Sequence, residues 1–95
     1  MPLFGYKNNK MDLNEQFLAA VAASKQLTDK PSNDILLQLY SLYKQATDGD
    51  AGDDGPSNMF DFVGKAKHSA WAGQKGKSKE VAMQEYIDKV AELKK

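Results

Sequence analysis

Two tyrosines and a lysine stand close together at positions 40, 43 and 44. On a helix, residues three and four positions apart share one face, so Tyr40, Tyr43 and Lys44 would point in similar directions. Together they offer aromatic rings for a base, hydroxyl donors, and a cation for phosphate, which are the groups that a nucleotide requires. The same spacing is typical of a half-buried aromatic seam beside a solvated lysine, and spacing alone favours that structural interpretation.

The composition limits the possible functions. A chain of 95 residues forms one domain with one modest core. It has no cysteine, which excludes disulfides, a thiolate nucleophile and a cysteine-based zinc site, and suggests a reducing, cytoplasmic setting. Its 13 basic and 13 acidic residues balance, so it lacks the basic field of a nonspecific nucleic-acid binder. We expect no nucleic-acid partner, and any anion site must be local.

The sequence has no membrane or export signal that we recognise. No apolar run approaches the roughly 20 residues that a membrane span requires, so we expect no stable membrane insertion. Residues 1–10 lack the long apolar stretch of a signal peptide. The segment 1–11 shows no periodicity and is predicted to be an irregular N-terminal extension, followed by one domain over residues 12–95.

Apolar and small residues at helical spacing predict an all-α protein. The four amphipathic stripes span residues 13–27, 35–46, 62–71 and 82–93. Asp12, Ser32 or Asn33, and Ser78 are predicted caps for the first, second and fourth helices, and the third helix begins near Asp61. No segment shows convincing strand alternation. Short connections between four such helices favour a four-helix bundle.

Between the second and third helices lies an acidic, glycine-rich loop. Four of its residues fall at the first, fifth, sixth and twelfth places of an EF-hand calcium loop: Asp50, Asp54, Gly55 and Asp61. Gly52 occupies the third place, the terminal glutamate is absent, and Pro56 interrupts the loop, so we interpret it as a solvated turn without a metal. His68 is the only histidine, which leaves no second imidazole for a metal pair and no serine or cysteine motif to which it could act as a base, so we expect no enzyme.

Four separate motifs occur in a recognisable order: Tyr40–Thr47 with Gly49–Asp50, Asp61–Phe62, Gly64–Lys67 with Ala70–Trp71, and Ala82–Met83 with Tyr86–Val90. From Phe17 to Lys95 the chain resembles the acyl-CoA-binding protein family. This resemblance implies a four-helix bundle with up-down-down-up topology that holds a fatty acyl-CoA ester without changing it and needs no cofactor. The helical pattern agrees with that fold independently.

The resemblance also implies a role for individual residues. It assigns six to the head group of the ligand: Tyr40, Lys44 and Lys67 to the ribose 3′-phosphate, Tyr43 to the adenine, Tyr86 to a hydroxyl contact, and Lys25 to a position near the ligand. Since Lys65 and Lys67 are two positions apart, they project to opposed sides of a helix and only one can readily join the cluster. The family match selects Lys67.

The acyl tail requires an apolar groove, because each exposed methylene costs roughly 0.8 kcal/mol. The candidates for lining it are Val21, Leu36, Leu37 and Met59, and each of them is also a candidate for the core. Three positions depart from the family pattern: His68 replaces a common tryptophan, Val63 replaces a lysine of some members, and Gly55 replaces an arginine of some members. These changes reduce the positive charge and the ring area around the phosphates.

The sequence therefore predicts a cytoplasmic, monomeric carrier and pool former for medium- and long-chain acyl-CoA esters, in transient contact with the enzymes that use them. The alternative is a helical protein-interaction module that docks a peptide on the same tyrosine and lysine face. Binding by the carrier should depend on the length of the acyl chain, because the tail is buried. This dependence distinguishes the carrier from the peptide-docking module.

Overall fold

The computed structural model describes residues 11–94, and in this range all regular secondary structure is helical. It contains four helices, α1 (Leu13–Ser24), α2 (Asn33–Asp48), α3 (Phe62–Ala72) and α4 (Lys79–Leu93). The predicted all-α fold is confirmed. The predicted extension over residues 1–11 lies outside the described residues except for Met11. None of the helices described is both long and apolar enough to cross a bilayer.

Local capping explains where each helix begins. Asp12 forms a capping box with Glu15 in which each side chain accepts the other's backbone N–H, at 2.8 and 3.1 Å. Ser32 and Ser78 cap α2 and α4 through their hydroxyl oxygens. Asp61 caps α3 by accepting from the Gly64 N–H at 2.9 Å. The cap lies so close that a Cβ at Gly64 would clash with the Asp61 carboxylate, so a larger residue there would displace the cap.

The C-terminal boundaries include one correction. Gly49 ends α2 as predicted, with a φ of +82° that favours glycine. The first helix was predicted to continue to Leu27, but it ends at Ser24. The N–H groups of Lys25 and Gln26 bond to carbonyls three residues back, which tightens the last turn and takes the chain out of the α-helix. Leu27 therefore lies beyond the helix, half-buried.

Contacts at both ends show that α2 and α3 run in the same direction. Asn33 and Val63, each in the first turn of its helix, line one cleft. At the other end, Trp71 of α3 donates a hydrogen bond to the carbonyl of Gly49, which follows α2. The 49–61 connection must therefore return along the length of the bundle.

The last helix runs against α2 and alongside α1. Gln45, near the end of α2, donates to the carbonyl of Lys77 just before α4 begins. Leu27, which follows α1, and Leu93, at the end of α4, line the same concavity. With α2 and α3 parallel, these contacts give the up-down-down-up topology. α4 packs on α1 and α2, while α3 packs on α2 alone.

The core is formed by α1, α2 and α4. Its eight buried apolar residues are Phe17, Ala20, Leu39, Leu42, Ala46, Ala82, Tyr86 and Val90. The third helix buries no side chain fully. It is thus the element of the bundle with the least hydrophobic anchoring.

Candidate functional site

Tyr40 lies where three concavities meet. The first, which we call the central cavity, has a volume of about 380 Å³ and lies between α1, α2 and α4, with Lys25, Tyr43 and Tyr86 in its lining. The second, the interhelix cleft, has about 340 Å³ and lies between the first turns of α2 and α3. The third, the loop cavity, has about 380 Å³ and lies between α3 and the acidic loop. All three are lined by Tyr40, so it can contact ligand groups on several sides.

The rings of the central cavity are held from behind by Phe17. Its buried ring stacks on Tyr43, with centroids 6.0 Å apart, and meets Tyr86 edge-on at 5.2 Å. Tyr43 remains 39% exposed, so one of its faces is open to a ligand. The Tyr86 hydroxyl donates to Ser24 Oγ at 3.1 Å. The packing therefore holds the rings of Tyr43 and Tyr86 in place as one wall of the central cavity.

Lys67 and Tyr40 approach each other across the helix interface. The Lys67 ammonium lies 5.3 Å from the centroid of the Tyr40 ring, within range of a cation–π interaction. Lys67 lines both the interhelix cleft and the loop cavity. Lys25, in contrast, is an exposed side chain at the rim of the central cavity. The two cations thus line different cavities that share Tyr40.

Lys44 does not point into the space that the tyrosines share. It forms an ion pair with Asp48, Nζ to Oδ2 at 2.5 Å, and its ammonium lies 4.8 Å from the centroid of the Trp71 ring. The hydrogen bond with Asp48 raises the pKa of Lys44 and lowers the pKa of Asp48. Tyr40 and Tyr43 converge on the central cavity as the spacing predicts, whereas Lys44 is absent from the lining of all three concavities.

The four predicted groove residues do not line a single groove. Val21 and Leu36 line the central cavity, and Leu36 also joins Leu37 in the interhelix cleft. Met59 lies in the loop before α3, is 66% exposed and lines none of the three concavities. Leu36 is therefore the apolar residue that the central cavity and the interhelix cleft share.

Sequence reasoning missed Ser24 and Leu39 as lining residues of the central cavity. Ser24 was visible as a polar residue on an otherwise apolar stripe. A hydroxyl at such a position needs a partner when it is covered, and here it accepts from Tyr86 and donates to the Val21 carbonyl at 2.7 Å. Leu39 carried no such signal, because it is indistinguishable from other core leucines.

Two of the family departures are neighbours in space. His68 Nε2 lies 3.0 Å from the carbonyl oxygen of Gly52, which connects α3 to the acidic loop. A Cβ at Gly55 would lie 3.3 Å from His68 Nδ1, so the small residue leaves room for the imidazole. The third departure, Val63, lines the interhelix cleft and makes its wall more apolar than a lysine would.

Comparisons with known proteins agree on one family. The family model for acyl-CoA-binding protein matches residues 14–90. The chain is 53% identical over 75 residues to an acyl-CoA-binding protein homolog of Drosophila melanogaster, covering 79% of this chain and 86% of that protein. It is 51% identical over 74 residues to acyl-CoA-binding protein homolog 1 of Caenorhabditis elegans, covering 78% and 85% respectively.

Solved structures extend this similarity to the fold. The crystal structure of acyl-CoA-binding protein 2 from Oryza sativa matches with a TM-score of 0.78 and 43% identity, covering 85% of this chain and 89% of that one. The crystal structure of an acyl-CoA-binding protein from Moniliophthora perniciosa matches with a TM-score of 0.77 and 42% identity, covering 84% and 78% respectively. Sequence and structure thus give the same assignment.

Proposed function

Because the chain belongs to the acyl-CoA-binding protein family, we propose that it binds one medium- or long-chain fatty acyl-CoA ester per molecule and releases it unchanged. The observation that supports this most directly is the pairing of two unlike surfaces. An aromatic and cationic cavity and an apolar cleft share Leu36 and Tyr40. An amphiphile with a nucleotide head and a hydrocarbon tail needs two such surfaces in contact.

In this proposal the head group occupies the central cavity. The exposed face of Tyr43 stacks on the adenine, the Tyr40 hydroxyl donates to the 3′-phosphate, and Tyr86 contributes its hydroxyl once that group turns away from Ser24. Lys25 at the rim, Lys67 beside Tyr40, and Lys44 after a change of rotamer supply positive charge. Electrostatic attraction and aromatic stacking supply the binding energy of these contacts.

The tail lies along the interhelix cleft, whose walls include Leu36, Leu37, Val63 and Ala66. Next to the cleft the chain exposes a run of large apolar side chains, of which Phe60 and Phe62 are 73% and 71% exposed. Covering apolar side chains with a tail removes both surfaces from water, at about 25 cal/mol per Å². We assign this exposed run, with Met59, to the outer part of the tail site.

The biological role that follows is a cytoplasmic carrier and pool former. A monomer that sequesters the ester keeps the tail from membranes and micelles and presents it to acyl-CoA-using enzymes by transient contact. No residue in the site is arranged as a nucleophile with a base, so the proposed role involves no chemical step.

The decisive experiment is isothermal titration calorimetry with palmitoyl-CoA below its micelle concentration, beside free CoA and free palmitate. We expect one-to-one binding of the ester and much weaker binding of either half, because each half uses only one of the two surfaces. Absence of heat with the ester would contradict the proposal and would leave the peptide-docking module as the interpretation of this face.

Single substitutions test the individual assignments. Lys67→Ala and Tyr40→Phe should each weaken ester binding about five- to thirtyfold, since a hydrogen bond to a charged group contributes roughly 1 to 2 kcal/mol. Lys89→Ala is the matched control, because Lys89 pairs with Glu92 on α4, away from these cavities. Unchanged affinity in both test variants, with the fold intact, would contradict the proposed head-group site.

A further inference from the structure

At the end of α2, an ion pair engages Lys44, a cation that the proposed head-group site needs. Lys44 Nζ and Asp48 Oδ2 are 2.5 Å apart, and the two side chains are 27% and 48% exposed. The Trp71 ring covers the ammonium on another side at 4.8 Å. In the free protein Lys44 thus pairs with a carboxylate of its own helix, one turn further along α2.

The position of Asp48 is electrostatically unusual. It is the last residue of α2, where the helix dipole disfavours a negative charge. The groups that face its carboxylate are Lys44, the Thr47 hydroxyl, and Lys79 of α4. The Asp48 carboxylate is therefore held by Lys44, a cation that would otherwise be available to an anionic ligand.

We propose that Asp48 acts as an internal competitor for the ligand phosphate, lowering affinity by holding Lys44 in the free protein and by repelling the phosphate in the complex. This inference rests on the proposed function and names the residue that tunes the head-group site. An exposed i,i+4 ion pair is weak, so its competition reduces affinity only about twofold. Repulsion between the carboxylate and a nearby phosphate brings the total to about three- to tenfold.

The test is to measure acyl-CoA binding by Asp48→Asn, which keeps the size of the side chain and removes the charge. Octanoyl-CoA is a suitable ligand, because its shorter tail lowers affinity into the range where differences are measured accurately. We expect the variant to bind about three- to tenfold more tightly than the wild type at low salt. The gain should shrink as salt is added, since both effects are screened.

Two controls separate the local mechanism from a general change in charge. Asp53→Asn removes one negative charge from the exposed loop without touching Lys44, and it should leave affinity within about twofold of the wild type. Octanoyl-dephospho-CoA lacks the 3′-phosphate, so the gain from Asp48→Asn should disappear with this ligand. Circular dichroism and the melting temperature verify that the variants are folded.

A double-mutant cycle decides whether Lys44 mediates the effect. Placed in a Lys44→Ala background, Asp48→Asn should lose the part of the gain that comes from competition and retain at most the repulsion. The proposal is overturned if Asp48→Asn binds like the wild type, if Asp53→Asn shows the same gain, or if the gain is as large without Lys44. If the wild type binds no ester, the proposed function itself has failed, which is a distinct result.

Discussion

The indole Nε1 of Trp71 donates a hydrogen bond to the carbonyl oxygen of Gly49 at 2.8 Å. This bond joins the C-terminal ends of α3 and α2, and it matters because α3 buries no side chain fully. Gly49 has ended its helix with a positive φ, which leaves its carbonyl free to accept from a side chain. Trp71 therefore fixes one end of the helix that carries Lys67.

Trp71→Phe should loosen α3 while leaving the other three helices in place. The variant keeps most of the ring packing but leaves the Gly49 carbonyl without its indole donor, which costs about 1 to 2 kcal/mol. Amide hydrogen exchange in α3 should be faster in the variant than in the wild type, with a smaller change in α4. The urea midpoint of the variant should be lower. Phe62→Leu is the control on the same helix, since Phe62 is 71% exposed. Equal exchange rates in α3 of Trp71→Phe and wild type would contradict this role.

Gln45→Leu should destabilise the bundle although the volume and burial are preserved. The buried amide Nε2 donates to Asp50 Oδ1 at 2.8 Å and to the Lys77 carbonyl at 2.7 Å, which links the end of α2 to the start of α4. An apolar replacement leaves the Lys77 carbonyl without this donor and Asp50 with only the Gly76 N–H, and it costs about 1 to 3 kcal/mol. Chemical denaturation measures the loss. Gln84→Leu, on the exposed side of α4, should change stability by less than about 0.5 kcal/mol.

Acid should weaken the protein partly through Asp50. The Gly76 N–H and then the Gln45 amide lower the pKa of Asp50 from its ordinary value of 3.8. Because the folded-state pKa is depressed, this stabilisation is present above about pH 4 and is lost as the pH falls through the folded pKa. Between about pH 6 and about pH 3, the urea midpoint of Asp50→Asn should therefore decrease less than that of the wild type. Parallel pH profiles for both proteins would contradict the assignment.

For ligand binding, the Tyr86 hydroxyl should matter more than the hydroxyl of its partner Ser24. Tyr86→Phe removes a hydrogen-bonding group from the proposed site and should weaken ester binding about three- to tenfold. Ser24→Ala removes the internal acceptor at 3.1 Å, together with the bond to the Val21 carbonyl, and leaves the phenol free, so affinity should not fall. Calorimetry on the two variants separates these effects. A loss of affinity in Ser24→Ala equal to that in Tyr86→Phe would show that the pair acts through structure instead.

The helices were predictable because their determinants are local. Asp12, Ser32 and Ser78 cap first turns within three residues of themselves, and Gly49 ends α2 through its own backbone freedom. The error at Leu27 arose because a half-buried leucine just beyond a helix continues its apolar stripe in the sequence. Periodicity records burial, and it does not distinguish a helical residue from a turn residue that packs in the same direction.

Tyr40 and Tyr43 were also predictable as one surface, since spacing alone puts them on one face of α2. The direction of Lys44 was not, because helix spacing allows it to face either the tyrosines or Asp48, and only the fold brings the Trp71 ring beside its ammonium. The sequence by itself determined the four helices, the aromatic pair and the family. Only the tertiary structure decided how Leu36 joins two cavities and that the Trp71 ring lies beside Lys44, because those properties depend on contacts between residues far apart in the chain.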